Sequence, residues 1–463
     1  MCKARALLVS AAAVFLAYQL FLPPVVALAD NGDFAKVIGR FGLVARVHRV
    51  YEFADTTYEF HPERRWKSRF TSSEVPLAHA AVFLNSLLSK DGAFDIRMIG
   101  AVHALLFLAA LWLAAPLLNR AAAFAALLFF CDAVYASGLN SFYMDEAAYL
   151  FLLLAAVFYL RALTSRDWRD TAGFLVCAVA VAASKPQHAL LGLAFAALTP
   201  ILLRPRQAVV AAAALTAASL LMLWKGAPKG YAANSVYDVV FVQLLPHSRN
   251  VPETQRALHL DASYLPLMGK NAYWGDSRMD DPSFNREFQR RISFPKLAVF
   301  YVTHPRDTWT ALAASLDEAA RPMDCGTFDA AAGYPPMAES RAFTTWSGFK
   351  RRLFLGHGVR LLGAFTGIAA IFLTLLVRLR KRLPQGSPAG GAALVAMAII
   401  ELIVSSLGDA MDIARHHTIF FALLDLMALS AVALAIRSCT SALDSRPVFS
   451  FGLRHRAPTR AAD

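Results

Sequence analysis

Long apolar runs recur along this chain and decide what it can fold into. A hydrocarbon layer about 30 Å thick is crossed by about 20 apolar helical residues. The clearest candidates are residues 6–28, 98–118, 121–134, 147–160, 208–224, 361–377, 392–407 and 419–436. Two shorter runs, 172–184 and 189–203, are read as two further spans or a re-entrant pair, and either choice returns the chain to the same side. The sequence therefore predicts a mainly α, polytopic transmembrane bundle of about ten spans with two outer-face insertions.

Composition supports a membrane protein and excludes an ordinary soluble domain. Hydrophobic residues make up 57% of the 463 positions and charged residues only 17%, which is too apolar for a soluble chain. The five cysteines include Cys131 and Cys177 within predicted spans and a predicted external Cys325, and they form neither a disulfide framework nor a zinc-binding spacing.

Lysine and arginine occupy alternate loops, and this bias sets the predicted orientation. With the N-terminus inside, the inner segments hold Lys3, Arg5, Arg120, Arg161, Arg166, Arg169, Arg204, Arg206, Arg378, Arg380, Lys381, Arg382 and a tail with five arginines. The short outer loops hold only Lys185 and Arg415. We therefore expect both termini to be cytoplasmic. The net charge of +13 follows in good part from this bias and from attraction to anionic membrane lipids, so no nucleic-acid partner is expected.

The chain divides into four predicted parts. Residues 1–224 form an N-terminal transmembrane module that includes a first outer loop, 29–97; residues 225–360 form an outer-face, periplasmic insertion; residues 361–437 form a C-terminal transmembrane module; and residues 438–463 form a basic cytoplasmic tail. The first apolar run is expected to be an uncleaved helix, because it is long and contains Pro23-Pro24. A signal peptide cleaved after Ala27-Leu28-Ala29 is the alternative.

The outer segments carry weaker patterns. In the first, Tyr51, Phe53, Tyr58, Phe60, Trp66 and Phe70 stand among charges, as at a lipid–water interface. Leu77, Ala81, Leu84 and Leu88 then recur at helical spacing opposite His79 and Ser86, which predicts an interfacial helix. In the second, a helix is predicted over residues 305–320, with Trp309, Leu312, Leu316 and Ala319 on one face, and the earlier half is expected to be irregular.

Three acid-rich islands border apolar runs on the predicted outer face. They are Asp30-Asn31-Gly32-Asp33-Phe34, Tyr143-Met144-Asp145-Glu146, and residues 409–417, which include Asp409 and Asp412. Carboxylates beside the hydrocarbon layer are costly, so their convergence indicates a functional site. A partly desolvated Asp30 or Asp33 is suited to act as a general base, although solvated acids in a helix-ending turn are the alternative. Asp145 and Glu146 are explained equally well as acids that complement a helix dipole.

The third island adds a cationic cluster. Arg415, His416 and His417 follow Asp412, and an arginine beside histidines at a membrane surface is suited to holding a phosphate by charge-assisted hydrogen bonds. Lys185 and His188, which flank Pro186-Gln187, are placed on the same face and add candidate cations. A lysine whose side chain snorkels to the interface is the alternative for Lys185.

A metal site is the alternative use of these ligands. Asp30, Asp33, Asp145, Glu146 and His417 offer oxygen and imidazole ligands suited to Mg²⁺ or Mn²⁺. Adjacent histidines point about 100° apart on a helix, and no zinc-type ligand spacing occurs. We therefore expect no required cofactor and keep a divalent metal as the alternative.

The islands and several later segments carry a resemblance to a known superfamily. Asn31-Gly32-Asp33-Phe34 with Phe41-Gly42-Leu43, Asn140-Ser141-Phe142-Tyr143-Met144-Asp145, residues 239–252 leading into Leu258-His259-Leu260-Asp261, residues 301–306, and Arg415-His416-His417 contribute to it. Together they resemble the GT-C polytopic membrane glycosyltransferases, and among these the bacterial glycan-biosynthesis hexose transferases of the WsfD type. Each motif is short, but the motifs are spread over most of the chain.

The resemblance implies a transferase that takes a sugar from a polyprenyl-phosphate donor and places it, with inversion, on a glycan or glycolipid acceptor at the outer face. It makes Asp33 the counterpart of the first-loop catalytic aspartate, with Asp30 next. Asp145 falls where the family has a second acid, while Glu146 departs from the small residue or proline usual there. Arg415 and the adjacent histidines fall where the donor phosphate is expected.

Two other classes stay open from the residues alone. A secondary transporter or flippase for envelope glycolipid precursors would use charges buried at mid-membrane, and Glu401 and Asp425 lie well inside predicted spans. A non-enzymatic scaffold for envelope assembly would explain the long outer segments. It would leave three acidic islands on one side without a purpose.

Overall fold

The computed structural model describes residues 2–47, 49–65, 70–89, 92–228, 230–273, 275–321 and 325–444. Trp66 and most of the predicted basic tail, residues 445–463, lie outside the described residues. Within the described ranges the chain is mainly α-helical, which confirms the predicted class of a polytopic helical membrane protein.

Seven helices in the described part of the chain are long and apolar enough to cross a membrane. They are Cys2–Phe21, Arg97–Ala114, Met144–Ser165, Pro205–Lys225, Gly358–Arg378, Ser387–Leu407 and Thr418–Asp444. An eighth candidate is a pair, Arg120–Phe130 and Ala133–Leu139, bent by 62°. The two short predicted runs form the 15-residue helix Trp168–Ala182 and a broken helix, Leu191–Ala196 and Thr199–Leu202. By length, therefore, seven or eight of the ten predicted segments qualify as spans.

The bend in the helix pair has a visible cause at Asp132. Its Oδ1 atom accepts from Val134 N at 3.1 Å and so caps the second helix. Its Oδ2 atom accepts from the backbone N–H groups of Trp346 and Ser347. One carboxylate therefore starts a new helix and fixes the Thr345–Phe354 helix against it.

The first outer segment folds as a small sheet with a covering helix. Strands Leu43–Ala45, Thr57–Phe60 and Ala93–Asp95 pair antiparallel in that order, with Tyr58 opposite Phe94. The expectation that its aromatic residues lie at the lipid–water interface is wrong for Phe53, Tyr58 and Phe70, which are buried. Tyr58 packs edge-on against Phe94 and Phe142, aromatic partners that lie far away in the sequence.

The predicted interfacial helix is present as Glu74–Leu88, but a different face is buried. Val75, Ala78, Ala81 and Asn85 face the protein. Leu88, predicted for the apolar face, is exposed together with Phe83 and Leu87. The helix therefore packs on the bundle and presents a second apolar side outward.

The second outer segment is helical throughout much of its length, so the expectation of an irregular first half is wrong. Its helices are Tyr231–Asp238, Val239–Leu244 (a π-helix), Leu245–His247, Val251–Ala257, Pro282–Arg291, Phe294–Thr303, Pro305–Ala319 and Thr345–Phe354. Three of its prolines, Pro252, Pro282 and Pro295, stand in the first turn of a helix. Asn250 and Asp281 cap two of these helices through backbone N–H groups.

The two outer segments hold each other in place. Ala27 and Ala29 donate to the carbonyl oxygens of Thr327 and Gly326 at 3.0 and 2.9 Å, and Gly326 N donates to Tyr51 O at 2.8 Å. A Cβ atom on Gly326 would lie 2.1 Å from Glu52 O, so only glycine fits this crossing. The strand of chain at residues 326–327 thus lies between residues 27–29, which lead into the first acid-rich island, and Tyr51, and it bonds to both.

Candidate active site

The three acid-rich islands lie together at one end of the helical bundle. Asp33 follows the end of the Cys2–Phe21 helix, Asp145 stands in the first turn of Met144–Ser165, and Arg415 lies between Ser387–Leu407 and Thr418–Asp444. The turn that holds Lys185 and His188 reaches the same point. The structure therefore brings together Asp33, Asp145, Lys185, His188 and Arg415, all predicted as site residues; their chemical roles stay predictions.

Arg415 lies at the centre of this cluster. Its Nη1 donates to Asp145 Oδ2 at 3.0 Å, and its Nη2 donates at 3.1 Å to both Asp33 Oδ2 and Asp412 Oδ2. The guanidinium lies over the ring of Tyr143, 4.4 Å from its centroid. Although burial disfavours its charge, the surrounding acids Asp33, Asp145 and Asp412 raise the pKa of Arg415 well above its usual value. Arg415 is thus a permanent cation that joins all three islands.

Asp30 and Asp33 have different tasks. Asp30 Oδ1 accepts from the N–H groups of Gly32 and Phe34 at 2.7 and 3.0 Å, and Gly32 turns the chain with a φ of +101°. The buried Asp30 therefore shapes the loop, and its catalytic role stays a prediction. Asp33 is instead held at the surface of the site, with its side chain 21% exposed.

A cation missed in the sequence faces Asp33. Lys36 Nζ forms an ion pair with Asp33 Oδ1 and donates to Tyr231 Oη at 3.2 Å. Burial alone would raise the pKa of Asp33, but Lys36 and Arg415 hold it below its usual value. The spacing of Lys36 three residues after Asp33, on the short helix Ala35–Ile38, was the available signal.

Asp145 is a buried anchor for cations, not a simple dipole complement. Its side chain is 1% exposed and accepts from Lys185 Nζ at 3.1 and 3.3 Å and from Arg415. His188 Nε2 lies 3.0 Å from Asp145 Oδ1, and its Nδ1 lies 2.9 Å from Glu401 Oε1. Burial would lower the pKa of His188, but Glu401 and Asp145 raise it to about 9. The imidazolium is therefore positioned between two carboxylates.

The loop around Arg415 is held by hydrogen bonds that could not be predicted from its sequence. Asp412 adopts a left-handed conformation with a φ of +49°, and its Oδ2 accepts from Asn31 Nδ2 as well as from Arg415. Asn31 N donates to Tyr143 Oη at 3.1 Å, and Tyr143 Oη donates to Ala29 O at 2.8 Å. Asp412 is thus a positioning residue that connects the first and third islands.

A model of the family described as "YfdI N-terminal transmembrane domain" matches residues 2–446. The chain belongs to this family. The match includes every residue of the site, from Asp30 to His417. No curated protein and no solved structure matches the chain.

In this YfdI-family chain both histidines of the third island are buried, and their role in phosphate binding stays a prediction. Burial, together with the nearby Lys185 and Arg415, lowers the pKa of His416 well below its usual value. Burial likewise lowers the pKa of His417 to about 4. His417 also uses both ring nitrogens in packing, at 2.8 Å from Ile413 O and 3.0 Å from Ser406 Oγ. His417 therefore ties the loop that carries Arg415 to the Ser387–Leu407 helix.

The remaining predicted acids lie at the margin of the site. Glu146 is buried and turned toward Gly138, where an added Cβ atom would lie 2.1 Å from Glu146 Oε1. Asp409 Oδ1 accepts from Met411 N at 3.1 Å, and burial raises the pKa of Asp409. Neither is joined to Arg415 by a direct hydrogen bond recorded among the described residues.

The acids of this YfdI-family site face cations rather than one another. Among the described residues no group of three or more His, Cys, Asp or Glu side chains is arranged to hold a metal ion. Asp33 and Asp145 are instead compensated by Lys36, Lys185 and Arg415. A divalent metal requirement stays the alternative that the sequence raised.

Proposed function

We propose that this protein is an inverting membrane glycosyltransferase of the GT-C type. It would transfer a sugar, most simply a hexose, from a polyprenyl-phosphate donor to a glycan or glycolipid acceptor at the outer face of the inner membrane. Support comes from the motif resemblance, from membership of a membrane family that is glycosyltransferase-like, and from the chemistry of the site. The proposed base is Asp33 and the proposed donor-phosphate clamp is Arg415 with Lys36 and Lys185.

The observation that carries the proposal is the unequal exposure of the three carboxylates around Arg415. Asp33 is 21% exposed, whereas Asp412 and Asp145 are 9% and 1% exposed. A substrate hydroxyl can therefore reach Asp33, while the two buried carboxylates, Asp145 and Asp412, keep Arg415 in place by their ion pairs. A general base must come within hydrogen-bond distance of the proton that it removes.

In the proposed step the acceptor hydroxyl gives its proton to Asp33, and its oxygen attacks the anomeric carbon of the donor. The bond from that carbon to the phosphate oxygen breaks, and the electron pair leaves with the polyprenyl phosphate. Arg415, Lys36 and Lys185 stabilise the negative charge that accumulates on the leaving phosphate. Protons and charges balance without a further reactant.

The same cations also explain how binding of the donor would make Asp33 a stronger base. Paired with Lys36 and Arg415, its carboxylate is stabilised and binds a proton weakly. A donor phosphate would compete for these two side chains and weaken both ion pairs. Donor binding would thereby raise the proton affinity of Asp33 where the acceptor arrives.

The two buried acids that favoured a transporter have local partners. Asp425 accepts from Tyr135 Oη, Trp346 Nε1 and Lys350 Nζ at 2.7, 2.9 and 2.9 Å. Glu401 pairs with His188. Each acid is therefore accounted for by a compensated contact, and neither contributes a specific argument for transport.

The test uses purified full-length protein with polyprenyl-phosphate hexoses as donors and a glycolipid extract of the producing cells as acceptor. We expect Asp33→Asn to retain its fold and lose transfer, and Arg415→Lys to weaken donor use. Glu59→Gln is the matched control, since Glu59 is a partly exposed acid of the same outer segment that pairs with Arg46 and His61. Wild-type transfer rates in folded Asp33→Asn protein would refute the assignment of the base. A glycan profile unchanged in cells lacking the protein would refute the proposed activity.

A further inference from the structure

A second cavity lies at the end of the bundle opposite the candidate site. It has a volume of about 900 Å³ and opens between the far halves of the Met144–Ser165, Ser387–Leu407 and Thr418–Asp444 helices. Asp145 begins the first of these helices, whereas Tyr159 lines the cavity. With a rise of about 1.5 Å per residue, roughly 20 Å of helix separates the two positions. The cavity is therefore no part of the candidate active site.

The interior of this cavity is apolar. Its walls include Phe107, Leu111, Leu153, Phe372 and Leu429, which come from four helices. Water is retained in cavities that offer several polar partners, and an apolar space at hydrocarbon depth offers few. A hydrocarbon chain suits such a space, and the volume lies within the range of about 300–1,000 Å³ usual for small-molecule sites.

The rim of the cavity is cationic. Lys381, Arg382 and Arg437 line its edge, and all three are exposed. Arg437 Nη2 donates to Arg382 O at 3.1 Å, which fixes the end of the last helix to the loop that carries the other two cations. The described lining residues include no aspartate or glutamate. Basic pockets of this kind between transmembrane helices bind anionic lipid headgroups.

We propose that the cavity binds an anionic glycerophospholipid of the membrane. One acyl chain would occupy the apolar interior, and the phosphate would contact Lys381 and Arg382 at the rim. The polyprenyl-phosphate donor does not meet the same requirement, because its phosphate must reach Arg415 at the opposite end of the bundle. Binding of an anionic lipid here depends only on the shape and charge of this cavity, whereas the choice of a glycerophospholipid over polyprenyl phosphate rests on the proposed function.

The experiment measures lipid binding to delipidated full-length protein by native mass spectrometry. Phosphatidylglycerol and phosphatidylcholine of identical acyl chains are the probes. We expect the first phosphatidylglycerol molecule to bind at least tenfold more tightly than phosphatidylcholine, and Lys381→Gln/Arg382→Gln to remove that preference. Arg378→Gln/Arg380→Gln is the matched control, because it removes the same charge from the same exposed segment without touching the cavity.

Filling the cavity tests the acyl-chain part separately. Ala156 and Ser430 both line the cavity, and Ala156→Phe or Ser430→Phe should displace the tightly bound lipid while the thermal unfolding temperature of the lipid-free protein stays within a few degrees. If either filled variant folds and still binds phosphatidylglycerol as tightly, the lipid lies elsewhere. Equal binding of the two phospholipids, or equal loss in the control variant, would reduce the effect to general surface attraction and overturn the proposal. Stronger competition by undecaprenyl phosphate than by phosphatidylglycerol would overturn the choice of lipid.

Discussion

Arg415 Nη2 lies 3.1 Å from Asp33 Oδ2, although 382 residues separate the two in the chain. The contact joins the loop after the first membrane helix to the loop before the last one. Because Arg415 also binds Asp145 and Asp412, one guanidinium organises the carboxylates of all three islands. The consequences of removing each carboxylate should therefore differ, since their exposure and their partners differ.

Asp33→Asn and Asp145→Asn should separate catalysis from stability. Asparagine at position 33 removes a partly exposed base, so we expect a loss of transfer of about 10²–10⁴-fold and an almost unchanged unfolding temperature. Asparagine at position 145 leaves Lys185, His188 and Arg415 without their shared buried anion, which should destabilise the fold by about 3–5 kcal/mol. Thermal unfolding in detergent and transfer assays on the same preparations would measure both effects. Equal unfolding temperatures for the two variants would contradict this division.

Lys36→Gln should change the pH dependence of transfer. Lys36 and Arg415 hold the pKa of Asp33 below its usual value despite burial, and a general base is active only when deprotonated. Activity is therefore lost as the pH falls through the Asp33 pKa, and removal of Lys36 should move this acidic limb to higher pH. The measurement is kcat/KM against pH, with Lys270→Gln as a control that removes a half-buried lysine outside the site. If the acidic limb of the Lys36→Gln variant lies at the same pH as in the wild type, Lys36 does not influence the titration of Asp33.

His188 should make stability fall in mildly alkaline solution. Its pKa is raised to about 9 by Glu401 and Asp145 against the effect of burial. A raised histidine pKa stabilises the folded state fully below the unfolded value of about 6.5, and this contribution disappears as the pH rises toward 9. The expected loss is on the order of 3 kcal/mol. His188→Gln/Glu401→Gln replaces the ion pair by neutral amides and should abolish that slope in denaturation measured from pH 6 to 9.5.

The long-range features of this fold followed from simple patterns, and the local ones did not. Apolar runs and the bias of lysine and arginine predicted the bundle and the position of Asp33, Asp145 and Arg415 at one end. Those patterns arise from the membrane, because the hydrocarbon layer favours apolar side chains all along a span and lysine and arginine are retained on its inner side. The same reasoning could not predict the hydrogen bonds of Asp30 and His417, because these bonds depend on individual backbone N–H and carbonyl groups nearby.

The outer segments show why composition alone was insufficient. Tyr58 was expected at an interface because charges surround it in the sequence, yet its neighbours in space are Phe94 and Phe142. The first half of residues 225–360 was expected to be irregular, whereas helices form there and several prolines occupy the first turn of a helix, where no N–H donor is needed. Pairing between distant segments decides the first case, and position within the helix decides the second.

Lys350→Met should test whether the buried Asp425 is structural. The substitution leaves Asp425 without its cation next to Tyr135 and Trp346, and loss of one partner from a buried pair costs about 3–5 kcal/mol. Adding Asp425→Asn should recover most of that stability, because no charge is left unpaired and the amide can bond to both neighbours. Its oxygen accepts from Trp346 Nε1 in place of Oδ1, and its N–H donates to Tyr135 Oη in place of Oδ2. The double variant should also transfer sugar normally. A double variant that folds as wild type but has lost all activity would instead place Asp425 in the functional machinery.

The orientation of the bundle can be tested with a cysteine that the chain already contains. Cys439 is exposed near the end of the last helix, at the end of the bundle opposite the site, whereas Cys131, Cys177 and Cys325 are buried. If the site faces outward, a membrane-impermeant maleimide applied to intact cells should leave Cys439 unlabelled and label it after the cells are opened. Glu63, 68% exposed in the first outer segment, gives the complementary probe.

The experiment compares two variants, and Cys2 is replaced by serine in both of them. The first keeps Cys439, and the second carries Glu63→Cys with Cys439 also replaced by serine. The cysteine at position 63 should react in intact cells. This pattern is required by the donor chemistry, since a polyprenyl-phosphate sugar used at the outer face must meet Asp33 and Arg415 there. The reverse pattern would place the site in the cytoplasm. Nucleotide-activated sugars would then be the available donors, and the role of a lipid phosphate clamp for Arg415 would lose its basis.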